Sequence, residues 1–228
     1  MRLLTVDTST NVFSIALSED ATVLGEESGD AGPSTSAAIP SLIRSLFNHA
    51  GFKPEDLDAF AVTVGPGSFT GVRIGIALVK GLAFAAGKPV VPISSLELLA
   101  MNARKSPVPV CTMFDARKGE VYTATFSFMD GMKPILIEKA ADPLTVIDET
   151  TEATLFIGDG ATRYRELICG RLGRLALYPE EHLHRPKASA AVPLAIERLG
   201  SGAVVSPFDL LPRYLRLSEA ELNRARSA

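Results

Sequence analysis

One stretch limits the choice of fold more than any other: Leu57 to Lys88, LDAFAVTVGPGSFTGVRIGIALVKGLAFAAGK. Phe60 to Val64 is a short apolar run rich in valine and threonine, the pattern of a strand buried on both faces. The chain then breaks at Gly65-Pro66-Gly67-Ser68 and turns helical near Thr70. Ser68 or Thr70 suits the N-cap, and Gly87 followed by Pro89 suits the end. A buried strand that becomes a helix within a few residues gathers unpaired backbone N–H groups and the positive helix end at one spot, which favours anions.

Between Thr70 and Ala86 the only charged residues are Arg73 and Lys80, which fall on one stripe. A helix lying on one sheet needs one apolar stripe, whereas this one is apolar most of the way round. Something beyond its own sheet must cover it. Gly71 and Gly75 form one row of small residues, and Ala77, Gly81 and Ala85 a second, where another helix could come close. A second helix of the same chain and a partner protein meet that need equally well.

The chain has 228 residues, enough for one large domain or two lobes. Its 23 Lys and Arg against 26 Asp and Glu give a net charge of −3, which is no electrostatic footprint for nucleic acid. The two cysteines, Cys111 and Cys169, lack CxxC spacing and read as buried free thiols of a reducing compartment. MRLLTVDTST is too short an apolar run for a signal peptide, and no uninterrupted apolar stretch reaches the ~18 residues of a membrane span. The expectation is a soluble, cytoplasmic protein.

In order, Leu3–Val6, Val12–Leu17 and Ala21–Glu26 read as three strands joined by tight turns, followed by a Gly/Ser/Pro stretch over 28–36. Ile39, Leu42, Ile43, Leu46, Phe47 and Ala50 then mark an amphipathic helix. The strand and helix described first come next, then a strand at Val90–Ile93 and a helix from Ser94 to about Arg104. From Val110 the pattern restarts. Strands over Val110–Phe114, Glu120–Phe128 and Pro134–Glu138 precede a helix over 143–150, a strand at Thr154–Ile157, and a helix running to Cys169. Both halves read βββαβα, with Asp7 matching Asp115 and Gly65-Pro66-Gly67 matching Gly158-Asp159-Gly160. Two similar α/β lobes follow: residues 1–105 and 106–205, with a tail over 206–228 that packs back on the first lobe.

Such a pair of lobes would face each other across a cleft. Asp7 with Thr8 and Ser9, Gly65, Gly67 and Ser68 on one side, and Asp115, Gly158, Asp159 and Gly160 on the other, form a candidate nucleotide site. One carboxylate per lobe could hold magnesium beside ATP or ADP; equally, the two aspartates could simply close hairpins. The Gly65–Gly71 loop is not a P-loop, a Rossmann fingerprint or a nucleophile elbow. His182 and His184 read as an exposed loop, and His49 as the polar side of a helix, so no transition-metal site is expected. No catalytic acid–base pair emerges.

The segments LLTVDTST, VTVGPGSFTGVRIGIALVKGLAFAAGKPVVPISSLELLA, MFDARKGEVY and LPRYLR resemble the bacterial TsaB (YeaZ) family, whose members serve the machinery that adds threonylcarbamoyl to the adenosine beside the tRNA anticodon. The resemblance implies the duplicated actin/sugar-kinase/Hsp70-like (ASKHA) fold. It implies docking on a TsaD-type catalytic subunit through the first two N-lobe helices, a homodimer when alone, and an ATPase subunit (TsaE-type) and tRNA that join through the complex. Facing residues would be Ser41, Arg44, Ser45, Asn48, Gly71, Arg73, Gly75, Leu78 and Leu82. The catalytic relative places two metal-binding histidines where this chain has Ser95 and Leu99, which implies a non-catalytic subunit. Family members often carry a His in the region of residues 31–34, where this chain has Gly, Pro and Ser. An ASKHA ATPase or small-molecule kinase and, further off, a metallopeptidase are the alternative functions.

Overall fold

The computed structural model describes residues 1–32 and 35–216. The first half contains β1 (Arg2–Asp7), β2 (Val12–Glu19), β3 (Thr22–Asp30), α1 (Thr35–Ala50), β4 (Ala59–Thr63), α2 (Phe69–Ala86), β5 (Val90–Ile93) and α3 (Ser95–Met101). The second contains β6 (Val110–Arg117), β7 (Glu120–Ser127), β8 (Lys133–Ala141), α4 (Pro143–Asp148), β9 (Thr154–Ile157), α5 (Asp159–Arg163), α6 (Arg165–Leu172), β10 (Ala176–Leu177) and α7 (Val192–Gly200). One sheet runs β3-β2-β1-β4-β5 and the other β8-β7-β6-β9-β10. In each, three antiparallel strands lead to parallel ones: Val6 pairs with Val62 in the first sheet, and Thr112 with Ile157 in the second. The internal duplication is therefore present strand for strand.

Burial explains the layering. All of β4 is buried, as a continuous apolar run requires, whereas β3, with its Glu26, Glu27 and Ser28, forms a polar, half-exposed edge. Leu4, Val6, Phe60 and Val62 face α1 and α2 on one side of the first sheet. Leu3, Ala61, Val91 and Ile93 face α7 on the other. Leu96, Leu99 and Ala100 of α3 are wedged against Val110, Phe114 and Ile157, so α3 lies between the lobes. Beyond the second sheet, α4 and α6 cover Met113, Val121 and Phe156.

Several elements differ from expectation. β3 runs on to Asp30 because residues 27–30 pair with β2, and α1 already begins at Thr35, so both ends of the expected Gly/Ser/Pro stretch are regular structure. The single helix expected after β9 is two short ones, and a short β10 follows it. Residues 188–200, counted with the second lobe in the sequence, pack on the first lobe's sheet, where Arg198 donates to Pro92 O at 2.9 Å and pairs with Glu97 at 2.6 Å. Cys111 is buried as expected, but Cys169 is exposed on α6. By length and composition α2 could cross a membrane; here it lies on the sheet with Val72, Gly75, Ile76, Val79 and Ala83 buried. From residue 217 on, the expected tail lies outside the described residues, as do Pro33 and Ser34.

Candidate functional site

Ser68 starts α2: its hydroxyl accepts from Gly71 N–H at 3.2 Å, and Gly87, at φ 65°, closes the far end in the left-handed conformation that glycine tolerates. The inner side of the helix lies unusually close to the β1–β2 turn. Thr8 Oγ1 donates to Gly71 O at 2.7 Å, and a Cβ on Gly71 or Gly75 would overlap Thr8. This corrects the expectation for those two glycines. Gly71 and Gly75 serve contact with the chain's own first turn, Gly75 being fully buried, rather than contact with a partner.

The outer side is different. Ala77, Gly81 and Ala85 are exposed, no other element of the described residues lies within 4 Å of a Cβ on Gly81, and Phe84 is 62% exposed. No second helix among the described residues covers this side. Among the described residues, only the strap over 206–216 runs along it. Phe208 meets Phe84 edge to face at 5.3 Å, Tyr214 stacks on Phe69 at 4.8 Å, and Lys80 Nζ donates to Phe208 O at 3.4 Å. Arg73 lies 3.7 Å over the Phe69 ring and donates to the Tyr214 hydroxyl at 2.9 Å. Phe208 (73%), beside Phe84, and Leu211 (70%), further along the strap, remain largely exposed. Of the expected facing residues, Ser41, Arg44, Asn48 and Arg73 are exposed, and Ser45, Leu78 and Leu82 are half-buried. Phe69, Phe84, Phe208 and Tyr214, outside that expectation, lie on the same side of α2.

The interlobe cleft, of about 370 Å³, is lined by Thr10, Asn11, Asp159, Arg163, His184 and Arg185 among others. Of the ten expected nucleotide residues, only Asp159 lines it. Asp7 is fully buried: its Oδ1 accepts from Thr63 Oγ1 (2.6 Å), Ser9 Oγ (2.7 Å) and Ser9 N–H (3.1 Å), while Oδ2 has no partner among the described residues. Burial raises its pKa, and the three donors only partly oppose this. Asp115 is held by Arg163 at 2.5 Å and by Arg117 N–H at 2.9 Å. Burial also raises the pKa of Asp159, which accepts from Asp115 N–H at 3.0 Å.

The two glycine turns are already filled. Ser68 N–H donates to Ser9 O at 2.7 Å, and a Cβ on Gly67 would strike that same carbonyl. Gly158 and Gly160 press on Met113 O in the same way. A phosphate cradle needs free N–H groups, and those of Ser68 and Gly158 are taken. A magnesium site needs carboxylate oxygens open to solvent, but Asp7 Oδ2 is sealed in the core and both Asp115 oxygens are engaged, so the residues present do not fit a magnesium nucleotide.

His184, expected to be exposed, is buried in a single 3-10 turn. Gly158 N–H donates to its Nδ1 at 3.1 Å, whereas His182 stays exposed near Glu180. The described residues hold no group of three His, Cys, Asp or Glu with metal-binding geometry. Ser95 and Leu99 are both fully buried, and Leu99 presses on Gly158 between the lobes.

Residues 30–223 match the family model described as TsaD: tRNA N6-adenosine threonylcarbamoyltransferase. The tRNA threonylcarbamoyladenosine biosynthesis protein TsaB of Bacillus subtilis is 33% identical over 225 residues, covering 97% of this chain and 96% of that one. The crystal structure of YeaZ from Pseudomonas aeruginosa superposes with a TM-score of 0.79 at 30% identity, covering 94% of this chain and 99% of that one. At 12% identity and a TM-score of 0.51, component A of the Acidaminococcus fermentans (R)-2-hydroxyglutaryl-CoA dehydratase shares the fold alone, over 87% of this chain and 99% of its own. With its duplicated lobes in the ASKHA arrangement and this likeness along nearly its whole length, the chain belongs to the TsaB (YeaZ) family.

Proposed function

We propose that this protein acts in tRNA threonylcarbamoyladenosine biosynthesis as a non-catalytic docking subunit. It binds a TsaD-type catalytic subunit through the outer sides of α1 and α2 and biases that subunit's conformation. The observation that carries the reading is the uncovered outer side of α2, where Ala77, Gly81 and Ala85 allow a helix to approach and Phe84 stands in water. Burying Phe84 alone is worth about 1.5–3 kcal/mol. A partner of related fold suits this side, since this chain itself matches the TsaD family model over most of its length. Without that partner, a second copy meets the same need as an isologous pair.

The non-catalytic part rests on α3. Where the resemblance puts the catalytic relative's metal ligands, this chain packs a serine and a leucine into the core between its lobes. The misfit of the Asp7 and Asp115 turns to a magnesium nucleotide likewise argues against an ATPase or kinase. The TsaE-type ATPase and tRNA join through the assembly, in the cytoplasm; at net charge −3 the isolated chain binds tRNA weakly or not at all.

Reconstituted threonylcarbamoylation tests the reading. The chain alone should be inactive, a TsaD-type subunit should depend on it, and Ala77→Arg should abolish the stimulation without lowering the melting temperature. Modification by the isolated chain, or full stimulation by Ala77→Arg, would overturn it.

A further inference from the structure

The strap over 206–216 ties together places that the duplication keeps apart. Leu210 is buried in the first lobe's core, and Val205 exchanges backbone hydrogen bonds of 2.8 and 2.9 Å with Val90. Arg213 N–H donates to Val64 O at 2.7 Å, in the turn that leads into α2, and Arg213 O would lie 2.6 Å from a Cβ on Gly65. From this fixed backbone the side chains diverge. Tyr214 turns onto α2, against Phe69 and Arg73. The Arg213 guanidinium reaches Glu138 of β8 at 3.1 Å, where the carboxylate is only 8% exposed. Arg216 donates to Ala116 O at 3.2 Å and to Glu120 at 2.8 Å, at the β6–β7 turn.

Consecutive residues thus grip α2 on one side and the second sheet on the other. Each grip limits the freedom of the next: a strap whose Tyr214 is displaced no longer aims Arg213 and Arg216 at their carboxylates. Glu138, a carboxylate only 8% exposed, then loses its ion-pair partner, which is costly. We propose that the strap is a latch that couples the outer face of α2 to the β6–β7 turn and β8 of the second lobe. Its use in signalling a docked partner rests on the function proposed above; the coupling itself does not.

Hydrogen exchange on the free, full chain tests it. Tyr214→Ala removes a side chain whose ring and hydroxyl partners all lie on α2. The latch predicts that amides of residues 116–120 and of β8 then exchange about fivefold faster or more. Phe208→Ala, on the other side of the buried Leu210, should leave them at the wild-type rate. Faster exchange confined to α2 in Tyr214→Ala would overturn the latch. Adding a TsaD-type subunit separates the two claims: failure of the wild type to bind counts against the docking reading, while the free-chain result still decides the latch.

Discussion

The two lobes share one chain path, and their strand-to-helix turns have taken opposite courses. After β4, Ser68 caps an 18-residue helix whose inner glycines sit on Thr8 and whose outer side is apolar and open. After β9, the turn at Gly158 has no side-chain cap, and the helix breaks at Tyr164 into pieces of five and eight residues. The aspartates before them diverge too: Asp7 is sealed in the core, whereas Asp115 is held at the surface by Arg163. The difference teaches that duplication preserved the scaffold and not the task. The first lobe invested its turn in a long helix with one side to spare, and the second did not.

Substitutions can break or sharpen this contrast. The largest effect belongs to the inner row of α2. Gly75→Leu drives a side chain into Thr8 and Val62 and should cost about 1–3 kcal/mol or more in urea unfolding. Gly81→Ala, six residues on and open, should instead stabilise by about 0.5–1 kcal/mol. Next is Phe84→Ala, which should cost about 2 kcal/mol of partner affinity, measured by calorimetry, with little change in melting temperature.

Third is the pH dependence set by the buried carboxyl of the first lobe. Asp7 has its folded pKa raised above 3.8, so the folded state binds the extra proton between those two values. Its contribution to stability is complete below the unfolded pKa and is lost as pH rises through the folded one. Asp7→Asn should flatten that slope in unfolding experiments run from acid to neutral pH. Its counterpart Asp115→Asn should be the mildest, under about 1 kcal/mol, because the pair with Arg163 is partly in water.

Much of this was legible in the sequence, for reasons that differ by residue. The continuous apolar run of β4, the Ser68 cap and the Gly87 stop are local signals, and the duplication was visible as a repeated order of elements. The facing of α2 was also legible, though it was misread. Arg73 and Lys80 must reach water, and Gly75 lies about 200° round the helix from Arg73, so it must point inward. The strap was not legible in detail. LPRYLR shows arginines and a tyrosine, but which lobe each grips depends on folding at a distance of about a hundred residues. The packing role of Gly67 and Gly158 was not legible, because glycines needed for close backbone contact look the same in sequence as glycines that cradle a ligand.

The central claim is that the open side of α2 is where a TsaD-type subunit docks. Titration calorimetry of that subunit with wild type and with Gly81→Arg, both first shown to melt at the same temperature, tests it most directly. The account predicts that the arginine, placed where no other element of the described residues lies within 4 Å, weakens binding at least about thirtyfold. Equal affinity for the two proteins would contradict it.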